Sequence, residues 1–556
     1  MSTRTHAFLL VLITAGVFCP LLVAGFIWDD QVLVLENLWT HDPANLPRFF
    51  RASLWESTPI ANTTTPYYRP MMLVELLVDR QLFGFSTLAH HAHSLAWHLV
   101  CTLLVWKLIR TLGGQGIAAT ASAAVFALHP FQTEVVAFIA ARNDAMALAG
   151  VLGALLLLKD EAPSPWRLTQ AGICALYALL SKETALMLPL LLAMCDLVVH
   201  GRLINVRRYL AIGLAMGVFG LLRLQAPLDS SALNLGEVLQ SAPAIMASYA
   251  SRLLWPIGTS PTTPLNAIQL SLPSLGIALF LAGLALRAQR KMALCGLGIF
   301  VVGLTPALAG VVLYGGLPYR YTYLPMLGIA IGYCALWNKH TNHPASLLLP
   351  LILGGITTSQ LVDWSTNLSF WERGYQVAPG VETACGLFKA HESELHHTEL
   401  ESPQRKKRFD RAEALLQEAI QNPPSQYCCY SASRWYWKLG LPQSAVTSGL
   451  EALNNGCEPS PELLAPLAMS EALIGQWDAA ESHAKEAGRD PTGLAPVVLS
   501  AAALRRGDES VLLYWEQKGS NEAQINLRDQ VDFVLNSPPP IQPNSSVSPT
   551  DESESP

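Results

Sequence analysis

Long apolar stretches joined by short polar connections make up most of the first 362 residues. A helix needs about 20 apolar residues to cross the hydrocarbon core of a membrane, and eleven stretches approach that length. They lie at approximately 6–27, 90–112, 116–133, 135–158, 168–182, 184–199, 208–224, 266–286, 292–313, 321–337 and 345–361. This pattern predicts an all-α fold whose first domain, 1–362, is a polytopic membrane helical bundle of about 11 transmembrane helices.

Two of these segments leave alternatives open. The short segments at 168–182 and 184–199 flank the polar sequence Ser181-Lys182-Glu183, so the pair could instead form one broken or re-entrant element. The first segment runs directly into Trp28-Asp29-Asp30 without a small-residue cleavage site. We therefore expect a retained helix rather than a cleaved signal peptide.

The long polar loops also contain helical patterns. Within Pro70–Phe83, apolar residues recur at helical spacing, with Glu75, Asp79 and Arg80 on the opposite side. This indicates a helix that lies in the membrane interface rather than crossing it. With the second long loop, about 225–265, it predicts a cavity at the outer leaflet where a lipid and a water-soluble molecule can meet.

The C-terminal third has a different periodicity. Small residues recur about every 34 positions, namely Ala412, Ala445 and Ala480, and likewise Gly440, Gly475 and Gly507. A 34-residue helix–turn–helix unit is typical of tetratricopeptide (TPR) repeats, and an irregular helical domain is the alternative. We predict a TPR-like helical repeat domain at 363–536. Residues 537–556 contain six Ser, six Pro and no Lys or Arg, which predicts a disordered tail.

Composition and charge narrow the class of protein. The chain has 556 residues, of which 51% are hydrophobic and 14% charged, against about 25% charged in soluble proteins. Residues 1–362 carry 21 Lys/Arg and 15 Asp/Glu, whereas the remainder carries 15 and 27. This distribution excludes a plain cytosolic enzyme and a disordered protein. Without a basic stripe to meet phosphates, a nucleic-acid partner is also excluded.

The loop charges predict an orientation, because cytoplasmic loops are enriched in Lys and Arg. If the N-terminus is cytoplasmic, the cytoplasmic side carries Arg4, Lys107, Arg110, Lys159, Arg167, Arg202, Arg207, Arg208, Arg287, Arg290, Lys291 and Lys339. An odd number of spans then places the C-terminal domain in the periplasm or lumen. Four of its cysteines would lie in that oxidising compartment and could form one or two disulfides: Cys385, Cys428, Cys429 and Cys457.

Asp29 and Asp30 are the leading candidates for catalysis. Ionisable groups at membrane depth are costly and therefore mark functional sites. A carboxylate at the membrane face can act as a general base on an incoming hydroxyl. The alternative is an acidic helix end that water solvates.

Four cations map to the non-cytoplasmic ends of helices, the side on which the positive-inside bias should deplete them: Arg69, Arg142, Lys182 and Arg320. Around one cavity they would suit a lipid-linked phosphate, with Arg giving bidentate contacts and Lys a point charge. Singly, each could instead be an interfacial anchor or a salt-bridge partner of Asp144 or Glu183.

A cluster of histidines gives a weaker signal. His90, His91, His93 and His98 fall on one predicted helix, with His91 and His98 on the same face. A divalent metal site is conceivable there, but helix capping and hydrogen bonding are favoured. We predict no metal or other cofactor.

The order of these motifs resembles the GT-C class of membrane glycosyltransferases and, more narrowly, bacterial-type relatives of the transmembrane-and-TPR O-mannosyltransferases (TMTC proteins). The resemblance extends to about residue 520. It rests on Phe26-Ile-Trp-Asp29-Asp30, Tyr68-Arg69-Pro70, His90-His91…His98, His129-Pro130…Glu134…Arg142-Asn-Asp144, Leu180-Ser-Lys182-Glu183, Leu254-Trp-Pro256, Arg320-Tyr-Thr-Tyr-Leu-Pro325 and Trp364…Phe370-Trp371.

The resemblance implies an enzyme that moves a sugar, such as mannose or another hexose, from a polyprenyl- or dolichyl-phosphate donor to an acceptor hydroxyl, with inversion. Asp29 or Asp30 would be the base, with a slight preference for Asp29, and the four cations would bind the donor phosphate. Supporting residues would be His91, Glu134, Asp144 and Glu183. A Ser/Thr of a protein held by the TPR-like domain is the expected acceptor. The alternative function is a non-catalytic, membrane-anchored TPR scaffold.

Overall fold

The structure, a computed structural model, describes residues 2–58, 67–226, 235–263, 289–397, 402–421, 423–488, 493–518 and 521–537, together with residues 283 and 287. The chain divides into two compact units, Met1–Ala378 and Pro379–Pro556. The residues described are predominantly helical in both units, which confirms the predicted all-α fold class. The tail predicted at 537–556 lies outside the described residues from position 538 onward.

The first unit contains the predicted apolar helices. Ten of the eleven predicted segments coincide with helices, and the segment at 266–286 falls almost wholly outside the described residues. The main helices are α1 (Thr3–Phe18), α2 (Pro70–Phe83), α3 (Thr87–Thr111), α4 (Gly116–Leu128), α5 (Arg142–Leu157), α6 (Pro165–Ser181), α7 (Leu188–Val199), α8 (Val206–Arg223), α9 (Leu235–Leu254), α10 (Arg290–Tyr314), α11 (Pro325–Trp337), α12 (Leu348–Gln360) and α13 (Asn367–Val377).

The first unit has the dimensions and surface of a membrane protein. Five helical stretches in its described part are long and apolar enough to cross a bilayer: Thr3–Val23, Thr87–Thr111, Ile139–Leu157, Arg290–Leu313 and Pro344–Trp364. Helices α4 and α11 are shorter and apolar. The outer face of α8 exposes Leu210, Leu214 and Leu221, as expected of a helix that contacts lipid rather than water.

Small residues allow the helices of the bundle to approach closely. A Cβ at Gly328 of α11 would clash with the backbone oxygen of Gly296 in α10, and the converse also holds. A Cβ at Gly150 of α5 would lie 2.7 Å from the carbonyl oxygen of Cys174 and 2.8 Å from the Cβ of Ala178, both in α6. Such contacts are a main source of helix association in lipid, where burial of apolar surface gives little driving force.

The predicted interfacial segment is helix α2, but the position expected for one of its residues is wrong. Asp79 does not lie on a polar outer face; it is fully buried. Its carboxylate accepts a hydrogen bond from Arg142 Nη1 at 2.5 Å and contacts His90 and His93. A buried carboxylate requires such partners. They come from α3 and α5, so the hydrophobic pattern of α2 alone could not predict them.

The second unit consists of helical hairpins. Its main helices are α14 (Val381–His397), α15 (Ser402–Ala419), α16 (Ser431–Lys438), α17 (Pro442–Asn454), α18 (Pro461–Leu473), α19 (Trp477–Ala487), α20 (Leu494–Arg505), α21 (Ser510–Lys518) and α22 (Asn521–Asn536). Gly440, Gly475 and Gly507 lie in the turns of three hairpins with φ between 71° and 86°, a region that favours glycine. The periodic alanines are fully buried.

Two disulfides connect the start of this unit. Cys385 of α14 is bonded to Cys428, and Cys429 is bonded to Cys457. All four cysteines singled out in the sequence are therefore paired. One or two disulfides were predicted, and the structure has two among these cysteines.

Candidate functional site

The acidic doublet follows a strained turn at the end of the first helix. After α1, a short 3₁₀ turn leads to Trp28, whose φ of 49° is in the left-handed region. Such a conformation is uncommon for a bulky residue and is frequent at functional sites. The Trp28 backbone N–H donates to Asn367 Oδ1 at 3.0 Å, and its ring stacks on Phe138 with centroids 5.4 Å apart.

Asp30 is a structural carboxylate. It is fully buried and accepts hydrogen bonds from the backbone N–H groups of Ala140 at 2.7 Å, Ile139 at 3.2 Å and Ile27 at 3.4 Å. Burial raises the pKa of Asp30 to about 8, although the three N–H groups oppose that rise. Its contacts tie the loop after α1 to the short turn that precedes α5.

Asp29 has different surroundings. Its side chain is partly accessible, and among the described residues none donates a hydrogen bond to its carboxylate. Burial raises the pKa of the Asp29 carboxyl to about 6; the positive charge of Arg320 opposes this rise, and the negative charge of Glu134 adds to it. A carboxyl group with a pKa near neutrality and unoccupied acceptor atoms has the properties of a general base.

Two of the predicted cations form ion pairs that meet at the neighbouring residues Lys182 and Glu183. Arg69 makes a bidentate contact with Glu183, with Nη2–Oε1 at 2.5 Å and Nε–Oε2 at 3.1 Å. Lys182 Nζ donates to Asp144 Oδ2 at 2.5 Å. Lys182 and Glu183 lie where α6 ends, at the polar break before α7, so that break brings both ion pairs to one place.

A third ion pair joins this group to the acidic doublet. The Arg320 guanidinium and backbone N–H both donate to Glu134, the backbone contact being 3.0 Å long. The guanidinium carbon lies 5.6 Å from the centroid of the Trp28 ring and 5.5 Å from that of Tyr321. Arg320 therefore lies beside the turn that carries Asp29.

The three ion pairs share one electrostatic environment. The charges of Lys182, Arg69 and Arg320 all act on Asp144. The Tyr321 ring lies near two of these cations, because Lys182 Nζ is 5.4 Å and the Arg320 guanidinium carbon 5.5 Å from its centroid. The fold thus collects three cations, their carboxylates and Asp29 from five distant parts of the chain.

Arg142, the fourth predicted cation, lies in a separate network. Its side chain is 0% exposed. Besides Asp79, it donates to Ser94 Oγ at 3.0 Å and to the His90 carbonyl at 2.9 Å. These contacts join α2, α3 and α5 and leave no accessible face of the guanidinium for a ligand.

The histidines of α3 make hydrogen bonds within the bundle. His91 Nε2 is 3.3 Å from the carbonyl oxygen of Gly25, in the loop that leads to Asp29. His98 contacts Tyr323 Oη at 2.8 Å and the Ala127 carbonyl at 3.0 Å. Where the structure describes the chain, no group of three or more His, Cys, Asp or Glu side chains is placed to hold a metal ion.

Sequence reasoning interpreted Tyr321 as a membrane-interface aromatic and assigned no role in the site to the aromatic residues around Asp29 and Arg320. Trp28 packs against Phe138, Phe370 and Trp371, and Tyr321 lies near Lys182 and Arg320. The signal was present, because all except Phe138 occur in the motifs that carry the family resemblance. Aromatic residues near membrane ends are common, however, and their convergence is a tertiary feature.

Comparison with known proteins finds several relatives, and those described here are all named protein O-mannosyl-transferases. The chain is 30% identical to protein O-mannosyl-transferase Tmtc1 of Drosophila melanogaster over 31% of this chain and 20% of that protein. It is 31% identical to Drosophila Tmtc2 over 34% of this chain and 20% of the relative. Protein O-mannosyl-transferase F38B6.6 of Caenorhabditis elegans is 24% identical over 67% of this chain and 58% of the relative.

These matches confirm the resemblance to the TMTC proteins, and the chain is a relative of them. Each match spans less than two thirds of the relative's own length. No model of a protein family and no solved structure matches the chain.

Proposed function

We propose that this relative of the TMTC proteins is a membrane glycosyltransferase that transfers a sugar from a polyprenyl- or dolichyl-phosphate donor to a hydroxyl group of a protein. The observation that carries the proposal is the placement of Asp29, to which none of the described residues donates a hydrogen bond, beside Arg320, one member of a cluster of three ion-paired cations. The names of the relatives, all protein O-mannosyl-transferases, support the reaction class.

In the proposed reaction, Asp29 accepts the proton of the acceptor hydroxyl as its oxygen attacks C1 of the sugar. The bond between C1 and the phosphate oxygen breaks, and the new bond forms on the opposite face, so the configuration at C1 inverts. The phosphate leaves with the electron pair of the broken bond and gains negative charge. Arg69, Lys182 and Arg320 stabilise that charge, an effect worth several kcal/mol for a well-placed group.

The ion pairs are compatible with phosphate binding because one of them is accessible. The side chain of Glu183 is 42% exposed, against 10% for its partner Arg69. The phosphodiester of the donor carries one negative charge on two free oxygens, so it can compete with an exposed carboxylate for a guanidinium and offers the same bidentate geometry. We assign the donor phosphate to this side of the cluster. Arg142 has no accessible face for it, so its proposed role is to hold α2 against α5.

We further propose that the site faces the periplasm or lumen and that the second unit binds the acceptor protein. The loop charges support this orientation. The two disulfides support it independently, since such bonds persist in oxidising compartments. The helical hairpins around Gly440 and Gly475 support this role, because stacked helical hairpins form the extended binding surfaces of repeat proteins.

A transfer assay with the purified full-length chain tests the proposal. Polyprenyl-phosphate mannose and a Ser/Thr-rich peptide are the substrates, and mass spectrometry measures the hexose added to the peptide. Asp29→Asn should lower the rate by about 10²–10⁴-fold, the usual contribution of a general base. Asp42→Asn is the matched control: Asp42 is an exposed carboxylate in the same loop, where it caps a turn through Ala44.

Loss of product in the Asp29→Asn variant, with activity retained in the control, supports the catalytic assignment. Equal activity of both variants would remove Asp29 from the mechanism. If the wild-type chain transferred no sugar to peptides or lipids, while deletion of residues 405–520 still changed the cell's phenotype, the scaffold function would replace the enzyme.

A further inference from the structure

A second charged region lies at the other ends of the helices that carry the candidate site. It is a cavity of about 1020 Å³ lined by Lys107, Arg110, Lys159 and Arg167, with no Asp or Glu among its lining residues. All four side chains are exposed. This concentration of positive charge is not used in the proposed reaction.

The position of the cavity follows from the helices. His91, in the second turn of α3, contacts the loop before Asp29, and Lys107 and Arg110 lie near the C-terminal end of the same helix. At about 1.5 Å per residue, the sixteen residues from His91 to Lys107 span roughly 24 Å. The cavity therefore opens at the face of the bilayer opposite the candidate site. In the proposed orientation, the cavity is on the cytoplasmic face.

The cavity also has an apolar part. Leu104, Leu156 and Leu157 line it together with Trp106, and the Arg110 guanidinium lies 4.9 Å from the Trp106 ring. A site for a soluble anion has no need of such residues at the end of membrane helices. Cations above an apolar wall match a lipid that presents a phosphate to the cations and an acyl chain to the wall.

Two acidic residues lie close to the cavity without lining it. Asp160 forms an ion pair with Arg167, and both side chains are nearly half exposed. Glu161 contacts His200 at 3.3 Å. Exposed ion pairs of this kind contribute little and exchange readily, so Arg167 remains able to turn to a phosphate, and no such pair involves the other three cations in the described structure.

We propose that this cavity binds the phosphate headgroup of an anionic membrane lipid in the leaflet opposite the candidate site. The lipid would stabilise the ends of α3 and α5 and the start of α6, which meet there. This assignment does not depend on the proposed enzymatic reaction, because it concerns different residues at a different membrane face.

Native mass spectrometry of the full-length protein tests this inference. The detergent-solubilised protein is incubated with equal amounts of phosphatidylglycerol and phosphatidylcholine, and the retained lipid is counted. The wild-type chain should retain one phosphatidylglycerol in preference. The double variant Lys107→Gln/Arg110→Gln should bind it roughly ten- to thirtyfold more weakly, since each cation near the headgroup contributes about 1 kcal/mol.

Arg202→Gln/Lys339→Gln is the matched control, because it removes two exposed cations of the same predicted face that do not line the cavity. The second double variant, Lys159→Gln/Arg167→Gln, tests the same cavity without changing α3. Equal phosphatidylglycerol retention by both cavity variants and the wild type would overturn the proposal, as would an equal loss in the control. Displacement of the lipid by millimolar inorganic phosphate would also overturn it, in favour of a soluble anion.

Discussion

Asp29 and Asp30 are neighbours in the chain, but their carboxylates have opposite surroundings. Asp30 accepts three backbone hydrogen bonds in the interior, whereas none of the described residues donates one to Asp29, which lies beside Arg320. The left-handed conformation of Trp28 precedes both residues. One acid of the pair therefore stabilises the loop, and the other is available for chemistry.

We expect the two Asn variants to differ in stability. In Asp30→Asn, an amide nitrogen without an acceptor lone pair replaces one carboxylate oxygen, which leaves a buried backbone N–H unsatisfied at a cost of about 1–3 kcal/mol. In Asp29→Asn, no hydrogen bond from the described residues is lost. The raised pKa of Asp29 means that its charged form is disfavoured on folding, so its contribution to stability falls as pH rises from about 4 through about 6.

Thermal unfolding of the full chain at pH 9, above the Asp30 pKa of about 8, measures this difference because Asp30 is then ionised. Asp30→Asn should lower the Tm, and Asp29→Asn should leave it unchanged or raise it. A Tm for Asp29→Asn as low as that of Asp30→Asn would mean that both acids are structural.

The rate of transfer should depend on pH through Asp29. Because the base form is the ionised carboxylate, kcat/KM should rise with pH, with a midpoint near the Asp29 pKa of about 6. In Arg320→Gln, the charge that lowers this pKa is lost, so the midpoint should move to higher pH. Arg320→Lys keeps the charge and should leave the midpoint near the wild-type value, even if the rate falls. If the midpoint did not move in Arg320→Gln, the pH dependence of kcat/KM would come from a group other than Asp29.

Arg69 should bind the donor phosphate through the bidentate geometry of its guanidinium as well as through its charge. Arg69→Lys retains a positive charge but not the bidentate fork that contacts Glu183. If the phosphate binds in the same way, this variant should lose on the order of tenfold or more in kcat/KM, and Arg69→Gln should lose more. Varying the donor at fixed peptide concentration measures this effect. An unchanged value in both variants would place the donor phosphate elsewhere.

The two disulfides should stabilise the second unit. They join cysteines separated by 43 and 28 residues, and loops of this length correspond to about 2–4 kcal/mol each. Cys428→Ser or Cys429→Ser should therefore each lower the unfolding temperature of the full chain. Thiol labelling under denaturing conditions should find six reactive cysteines before reduction and ten after it. Ten reactive thiols before reduction would contradict the pairing and remove one argument for the proposed orientation.

The contact between α5 and α6 should be sensitive to a single methyl group. Gly150→Ala places a Cβ 2.7 Å from the Cys174 carbonyl oxygen, and overpacking of this kind costs about 1–3 kcal/mol. Gly213→Ala is the control, since nothing lies within 4 Å of its Cβ position. The Tm should fall for Gly150→Ala and stay constant or rise for Gly213→Ala, because alanine favours helix. An equal Tm for both variants would contradict the close packing.

Local pattern was sufficient for the helices. Ten apolar segments, helix α2 and the glycine turns of the C-terminal hairpins are all encoded within short windows, because hydrophobic periodicity and backbone preference act over a few residues. The same windows could not place Asp79 or Arg142. Asp79 was expected on a polar helix face and Arg142 at the donor-phosphate cavity, but each is buried because its partner comes from another helix.

By itself, the sequence determined that this chain is a helical membrane protein with a helical second unit, since apolar length and small-residue period are properties of composition along the chain. Only the tertiary structure decided which charged groups meet. It placed Arg320 beside Asp29, gave Asp30 its backbone partners and separated Arg142 from the other cations. The physical reason is that a buried charge is stabilised by whatever partner the packing brings within a few ångströms, and distance along the chain carries no information about that partner.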